Sequence, residues 1–405
     1  MADLRPFPAL RPDPTSAAQI CELPYDVMSS DEARETATGN PISFLHVSKP
    51  EIDLPVETDV YDTSVYAKGR ENFDRLIEQG ALRQDGKACY YLYRLIMDGR
   101  PQTGLVAAAS CKDYDESVIK KHELTRPAKE DDRVRHMEAL DSQTGPVFLT
   151  YQAQPTFDDF VAKVCEREPA VDFMAPDGVQ HTAWTVDEDG EIEFVRSTFA
   201  NIPALYVADG HHRSAAASRV SKTRGGSGAS DAFLTVTFPH NQMRILAYNR
   251  ALKDLNGLNA AQLLEKLETV FEIESPGAAD PQAKNVLGLY MGGRWRSLRF
   301  RREIAVTDNP IDGLDVALLQ DHVLRPVFGI DDPRTSERIA FVGGIRGTGE
   351  LERMVDSGDC ACAFSMYPTS IEDLMAIADQ DGLMPPKSTW FEPKLRDGMF
   401  CHMIG

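Results

Sequence analysis

The sequence predicts a protein of mixed α/β class, and three observations lead to this prediction. Short apolar runs with strand-like alternation recur along the chain, as in Phe233 to Phe238. Segments with the apolar spacing of helices lie between such runs, as in residues 61–80. The chain has 405 residues, of which 42% are hydrophobic, and this suits two or three domains with apolar cores. Strands that alternate with helices in this way are typical of α/β and α+β folds.

The N-terminal region is predicted to contain helices, a strand and a hairpin. Ser29 and Glu32 have the spacing of a capping box, so a helix is expected from there to about Thr38. Residues 43–47 follow a Gly-Asn-Pro stop and are predicted to form a strand. The other elements predicted here are a helix over 61–80 and the strands Ala88 to Met97 and Gln102 to Cys111, paired around Asp98-Gly99.

The middle of the chain continues the alternation. An acidic turn over 187–190 resembles the start of a calcium loop but lacks the distant glutamate of that loop, so it is interpreted as a hairpin turn. The elements predicted here are the strand Val147 to Tyr151, the helix Phe157 to Arg167, the hairpin strands His181 to Val186 and Glu191 to Val195, and a strand at 202–205 followed by a helix over 214–220.

A composition shift near 251–285 marks a third section. Its C-terminal stretch, residues 384–394, mixes a cation (Lys387), hydroxyls and aromatic side chains, which would either close over a ligand or pack on the core. The elements predicted in this section are the helices Ala260 to Phe271 and Asp315 to Leu324 and the strands Val286 to Met291 and Trp295 to Phe300.

Composition excludes several function classes. The formal net charge is −20, whereas a nucleic-acid-binding protein usually presents a basic face, so no nucleic-acid partner is expected. No apolar run of membrane-spanning length and no signal-peptide pattern is found, so no membrane partner is expected. Seven scattered cysteines suit a reducing cytoplasm rather than a disulfide scaffold. We therefore expect a cytoplasmic protein.

The strongest functional signal is the stretch Asp209-Gly210-His211-His212-Arg213, between an apolar run and an Ala/Ser-rich helix. The N-terminus of a helix carries unpaired N–H groups and partial positive charge, which suit a phosphate. Gly210 allows a close backbone approach, and Arg213 can bind two phosphate oxygens. Asp209 and the histidines can ligate a metal or transfer protons. These side chains are expected to face a ligand at the surface, so their substitution is expected to leave folding nearly unchanged.

A second polar cluster spans residues 119–136. Glu123 follows His122 among cationic residues, which would keep its carboxylate ionised, as a general base requires. Lys129 and Arg133 are four residues apart, so both can project from one helical face toward phosphates. The alternative interpretation of this charged run is a solvated helix face with salt bridges.

Several phrases of the sequence, in order, resemble the prokaryotic family of domains of unknown function numbered ten-fifteen. That family is similar to free serine kinases built on the fold shared by ParB and sulfiredoxin, which carry an Asp-Gly-His-His-Arg box and a glutamate base upstream of it. The phrases are Leu4 to Pro12, Pro24 to Val27, Asn40 to Val47, Pro50 to Asp53, Ala208 to Arg213 and Met384 to Thr389.

The resemblance implies a ParB/sulfiredoxin-like core over residues 116–250, flanked by α/β sections at 1–115 and 251–405. It implies that residues 209–213 bind nucleotide phosphates, with Mg²⁺ at Asp209, and that Glu123 is the catalytic base. Sulfiredoxin has a cysteine where this chain has His211, so peroxiredoxin repair is disfavoured.

Two functions follow as hypotheses. The first is a kinase that phosphorylates free L-serine or a similar small alcohol from ATP or ADP, a reaction that needs positioning and charge neutralisation. The second is a nucleotide-binding switch without small-molecule turnover, and a homodimer is left open. The kinase hypothesis assigns catalysis to Glu123, Asp209 and His211, and phosphate binding to Gly210, His212, Arg213, Lys129, Arg133 and Lys387.

Overall fold

A computed structural model describes residues 2–307 and 309–405, and these residues form two compact units. The first unit comprises Met1–Met243 and Pro393–Gly405, and the second comprises Arg244–Glu392. Both combine helices with sheets, so the predicted mixed α/β class is confirmed. The division into sections at residues 115 and 250 stays a prediction about domains. No helix in the described ranges combines the length and apolarity that crossing a bilayer requires.

The elements are named here in chain order. The helices are α1 (Ala17–Ile20), α2 (Ser30–Ala37), α3 (Leu45–Ser48), α4 (Thr63–Glu78), α5 (Cys111–Asp115), α6 (Pro127–Leu140), α7 (Pro155–Val164), α8 (Asp189–Ala200), α9 (His211–Thr223), α10 (Ala260–Glu268), α11 (Arg302–Ala305), α12 (Asp315–Leu319), α13 (Gly347–Asp356) and α14 (Ile371–Asp379). The strands are β1 (Leu4–Arg5), β2 (Leu10–Pro12), β3 (Leu82–Gln84), β4 (Tyr90–Met97), β5 (Arg100–Ser110), β6 (Ile119–Lys120), β7 (Ser142–Gln143), β8 (Val147–Tyr151), β9 (Val171–Met174), β10 (Gln180–Val186), β11 (Leu205–Asp209), β12 (Ala232–Pro239), β13 (Arg244–Leu246), β14 (Tyr248–Leu252), β15 (Phe271–Glu274), β16 (Val286–Tyr290), β17 (Trp295–Phe300), β18 (Ile339–Gly343), β19 (Cys362–Ser365), β20 (Trp390–Glu392) and β21 (His402–Met403).

The first unit is built on a mixed sheet in the order β6-β11-β8-β12-β5-β4-β10-β9, with β1 beside β5. Most neighbours are antiparallel, but β6 runs parallel to β11 and β8 runs parallel to β12. The apolar core lies on this sheet and includes Tyr151, Phe157 and Phe199, whose rings contact one another. Burial of such large side chains is the main favourable contribution to folding of this unit.

The parallel pairing of β6 and β11 determines where the polar residues meet. Leu205 pairs with Ile119 and Tyr206 pairs with Lys120, so both strands end at the same edge of the sheet. The chain after β6 carries His122 and Glu123, and the chain after β11 enters α9. The two polar clusters are therefore neighbours in space.

The second unit contains an antiparallel sheet in the order β15-β17-β16-β19-β14-β18 and a short ladder of β13 with β20. Helix α12 continues as a π-helical turn over Gln320–Leu324. The predicted strands Val286 to Met291 and Trp295 to Phe300 are confirmed as the antiparallel pair β16 and β17.

Two local predictions are confirmed in detail. Ser29 and Glu32 form a reciprocal capping box at the start of α2. Strands β4 and β5 pair around Asp98 and Gly99, which both have positive φ, as a tight hairpin turn requires.

Two other predictions were wrong. Residues 43–47, predicted as a strand, lie mostly in helix α3, where Phe44 packs edge-to-face on Phe73 of α4. Residues 191–195, predicted as the second strand of a hairpin, belong to α8. In α8 the acidic residues Asp189 and Glu191 occupy the first turn, where they complement the helix dipole instead of forming a hairpin turn.

Candidate functional site

The predicted order of strand, turn and helix is confirmed, but the strand, predicted at 202–205, is Leu205–Asp209, and the helix, predicted at 214–220, is His211–Thr223. Asp209 ends β11, Gly210 has φ of +95° and is the N-cap residue, and α9 begins at His211. The Asp209 carboxylate accepts a hydrogen bond of 2.8 Å from the Gly210 N–H, but it does not occupy the N-cap position itself. The glycine is needed here because a side chain would be strained at this φ.

One side of this turn carries the histidine cluster, which we define as His122, Glu123 and His211. One ligand atom from each side chain lies within 4.8 Å of the others. The two imidazole rings meet edge-to-face with centroids 4.4 Å apart. Both histidines are buried, and His122 Nδ1 and His211 Nε2 have no hydrogen-bond partner. The cluster therefore joins the predicted base to the predicted box.

Burial makes both imidazoles of the cluster neutral at physiological pH. It lowers the pKa of His122 to about 4, although the Asp209 carboxylate opposes the shift. It also lowers the pKa of His211 well below its usual value, and the neighbouring His122 adds to the effect. A neutral imidazole offers a nitrogen lone pair, which can accept a proton or bind a metal.

A partly buried ion pair lies behind the turn. Lys394 Nζ is 2.9 Å from Asp209 Oδ2. Burial by itself would raise the pKa of Asp209, but the Lys394 ammonium and the Arg213 guanidinium outweigh it and hold that pKa well below its usual value. Asp209 is therefore ionised, and both of its oxygens have donors, because Oδ1 accepts from the Gly210 N–H.

The other side of the turn carries the arginine cavity, which we define as the small space bordered by Tyr25, Arg133, Arg213 and Asp397. The Arg213 side chain is only 6% exposed. Its guanidinium donates to the Pro146 carbonyl and lies 3.7 Å from an Asp26 carboxylate oxygen. The expectation that Arg213 faces solvent was wrong, because the start of β8 and the C-terminal segment cover it.

Charges in the arginine cavity are only partly matched. Arg133 lies over the Tyr25 ring at 3.8 Å and is paired with Asp132 at 2.6 Å. Burial raises the pKa of Asp397 to about 7, although Arg213 and Arg133 oppose the shift. Arg213 Nε and Asp397 Oδ1 are buried without hydrogen-bond partners.

An open cleft of about 270 Å³ adjoins the arginine cavity and shares Tyr25, Arg133 and His136 with it. Lys129 and Arg133 both line this cleft. Elsewhere on α6, Glu130 and Asp131 pair with Arg219 at 2.8 and 2.7 Å. Helix α6 thus combines the two sequence interpretations, a salt-bridged outer face and a pair of cations along a cleft.

The remaining predicted residues have separate positions. His212 Nε2 accepts a hydrogen bond of 3.0 Å from the Arg126 N–H, and burial together with the nearby Lys129 ammonium lowers its pKa to about 4. Lys387 belongs to the second unit, where its ammonium lies 5.1 Å from the Tyr248 ring centroid. In the same unit, Trp390 and Phe391 lie in β20, with Phe391 buried.

Sequence reasoning missed three residues of this site. His122 was noted without a role, although it supplies half of the imidazole pair. Lys394 and Asp397 were missed because nothing in the local pattern links them to residues more than 180 positions earlier. The last of the family phrases ends at Thr389, so the resemblance did not point to either residue.

The chain is similar to known proteins in sequence and in fold. The chain belongs to the family described as "Protein of unknown function (DUF1015)", whose model matches residues 4–317. This is the family that the sequence resemblance identified. No curated protein matches the chain.

Solved structures similar to the chain are distant in sequence. SbnI with a C-terminal truncation, from Staphylococcus aureus, is 12% identical with a TM-score of 0.40, over 72% of this chain and 85% of that one. A free serine kinase in complex with AMP is 12% identical with a TM-score of 0.35, over 71% and 86%. A conserved hypothetical protein from Pyrococcus furiosus is 13% identical with a TM-score of 0.36, over 73% and 93%.

Proposed function

We propose that this DUF1015 protein transfers a phosphoryl group from ATP or ADP to the hydroxyl of free L-serine or a similar small alcohol. The observation that carries the proposal is the proximity of Glu123 to His211 at the start of α9, where their ligand atoms lie within 4.8 Å of each other. It combines a carboxylate that can accept a proton with a helix N-terminus that can hold a phosphate. The resemblance of residues 209–213 to the box of free serine kinases supports the same assignment.

Each residue has a role in the proposed reaction. Glu123 accepts the hydroxyl proton as the substrate oxygen forms a bond to the transferred phosphorus, and the bond between that phosphorus and the departing nucleotide breaks. The backbone at Gly210 and the α9 N-terminus bind the phosphate, and His211 lies beside Glu123 to orient it. Lys129 and Arg133 attract the nucleotide phosphates into the cleft that they line.

Magnesium at Asp209 stays a prediction, and the fit of this carboxylate to the ion is poor. Both of its oxygens have donors, the Lys394 ammonium and the Gly210 N–H. A Mg²⁺ ion bound there would lie close to the Lys394 ammonium, and the repulsion between the two cations opposes its binding. In the proposal, Asp209 positions the turn, and Mg²⁺ is supplied with the nucleotide.

The test is an assay of product formation. The protein is incubated with ATP or ADP, Mg²⁺ and each free hydroxyl amino acid, and phosphorylated product is followed by phosphorus NMR. Glu123→Gln is expected to lower kcat by about 10²–10⁴-fold, the usual contribution of a general base, with nucleotide affinity unchanged. Glu130→Gln is the matched control, because Glu130 pairs with Arg219 outside the cluster.

Two outcomes would overturn the kinase proposal. One is the absence of phosphorylated product from every hydroxyl amino acid with either donor. The other is an equal kcat for Glu123→Gln and Glu130→Gln. Tight nucleotide binding without any product would instead favour the nucleotide-binding switch.

A further inference from the structure

We propose that the histidine cluster is a binding site for a divalent transition metal ion such as Zn²⁺, with one imidazole nitrogen each from His122 and His211 and the carboxylate of Glu123 as ligands. The three side chains come from two segments, the chain after β6 and the first turn of α9. This inference concerns metal binding and does not depend on the kinase proposal. The two proposals give Glu123 different roles, because a carboxylate that ligates a metal ion is a weaker base than a free one.

The separation of the donor atoms is close to that of a bound site. They lie within 4.8 Å of one another. Around a tetrahedral zinc ion, bonds of about 2.0–2.2 Å place two ligand atoms about 3.3–3.6 Å apart. The most widely separated ligand atoms of the cluster would therefore approach one another by no more than about 1.5 Å, which side-chain rotations can supply.

The unpartnered ring nitrogens point to a missing ligand. A buried polar atom without a partner is costly, and native structures rarely leave one unexplained. Here two such nitrogens, His122 Nδ1 and His211 Nε2, occur in rings whose centroids are 4.4 Å apart. The two rings form no hydrogen bond with each other, and a metal ion between them would satisfy both nitrogens.

His122 is also oriented as metal-binding histidines usually are. Its ring is hydrogen-bonded to the backbone carbonyl of Val207, and this leaves Nδ1 as the nitrogen without a partner. A carbonyl that holds the far nitrogen fixes the tautomer and directs the other nitrogen toward a metal. Val207 lies in β11, so the sheet itself holds the ring in place.

The donor set selects the class of metal. Two imidazoles and a carboxylate suit Zn²⁺ and its neighbours Mn²⁺, Fe²⁺ and Co²⁺, whereas Mg²⁺ and Ca²⁺ prefer oxygen ligands. Three protein ligands leave at least one position for water or a ligand oxygen, as in catalytic zinc sites. The charge suits a dication as well, because the Glu123 carboxylate is a ligand and the Asp209 carboxylate acts on both rings.

The experiment measures metal binding by the full-length protein after treatment with a chelator. Co²⁺ is titrated and its visible absorption bands are recorded, and Zn²⁺ is titrated by calorimetry. We expect one ion per chain. His122→Asn, His211→Asn and Glu123→Gln should each weaken binding by at least about 10- to 100-fold, since loss of an outer-shell partner alone commonly costs that much.

Controls separate ligation from folding. His240→Asn removes a half-buried histidine that lies outside the cluster and accepts from the Ala153 N–H, and it should bind the metal like the wild type. Circular dichroism without metal establishes that each variant is folded, and Glu123→Gln remains informative if a histidine variant is not. Added Zn²⁺ should raise the Tm of the wild type but not that of the ligand variants.

The proposal is overturned if the folded wild-type chain takes up neither Co²⁺ nor Zn²⁺ stoichiometrically, or if the folded ligand variants bind as tightly as His240→Asn. In that case the two imidazoles are an edge-to-face packing pair. Neither result depends on phosphorylated product, so failure of the metal site and failure of the kinase proposal are distinguishable.

Discussion

The histidine cluster and the arginine cavity lie on opposite sides of one helical turn, and they use burial differently. In the histidine cluster, burial removes charge and leaves two ring nitrogens without partners. In the arginine cavity, Arg213 keeps its charge and is held by a carbonyl and nearby carboxylates. Two residues of one motif, two positions apart, are therefore suited to different tasks. His211 has a neutral ring nitrogen that can accept a proton or bind a metal, whereas Arg213 holds the turn in place.

The largest expected effect is on folding. Arg213→Ala should lower the free energy of unfolding by about 3–5 kcal/mol, because it leaves buried carboxylates and a carbonyl without their cation. Arg219→Ala, on the same helix but half-exposed, should cost no more than about 1 kcal/mol. Urea denaturation of both variants measures the difference, and equal losses would contradict a structural role for Arg213.

The second largest effect is expected in the arginine cavity, where the free energy of unfolding should depend on pH through Asp397. The folded pKa of Asp397 is about 7, above the value of about 4 in an unfolded chain. The folded state therefore binds the proton more tightly, so this group stabilises the fold below pH 4 and loses that contribution as pH rises to about 7. Its size is on the order of 3–4 kcal/mol.

Asp397→Asn should flatten the dependence of unfolding free energy on pH between about 4 and 7. Asp31→Asn, whose carboxylate is 90% exposed, is the control and should keep the wild-type slope. Chemical denaturation across this pH range measures both slopes. An unchanged slope in Asp397→Asn would mean that Asp397 is ionised in the cavity.

The smallest expected effect comes from the glycine between the two regions. Gly210→Ala should lower the free energy of unfolding by about 2–3 kcal/mol, since alanine is strained at φ of +95° and its Cβ would lie 3.2 Å from Arg213 Nε. Gly39→Ala has a similar φ of +76° but open space around it, so it should cost about 1–2 kcal/mol. Equal losses in thermal melts would show that Arg213 moves aside without cost.

The sequence predicted the elements whose signals are local. The capping box at Ser29 and the hairpin at Asp98-Gly99 depend on residues within a few positions of one another, and both are present. Predictions failed where a short apolar run is compatible with both a helix and a strand. Phe44, Leu45 and Val47 are apolar and buried, so the helical form of this segment is decided by packing against α4 and not by periodicity.

In the candidate site, too, the features that depend on neighbouring residues were predictable, and those that depend on distant residues were not. The strand, turn and helix around residues 209–213 were predictable, because an apolar run, a glycine and an Ala/Ser-rich segment follow one another directly. The proximity of Glu123 to His211 was not, because it depends on the parallel pairing of β6, only two residues long, with β11. Lys394 and Asp397 were out of reach of any local pattern, since the whole second unit separates them from β11.

The return of residues 393–405 to the first unit has a consequence for how this protein is made. A ribosome that has finished β12 has already produced the sheet, α9 and the histidine cluster, but Lys394, the ion-pair partner of Asp209, and Asp397, which borders the arginine cavity, follow only after Glu392. At about 5–20 residues per second, the nascent chain waits about 7–30 s for Lys394 and Asp397. During that interval the turn at Gly210 has its glycine and its helix but lacks the Lys394 ammonium and the Asp397 carboxyl, so this site reaches its final form only after residues 394–397 have left the ribosome.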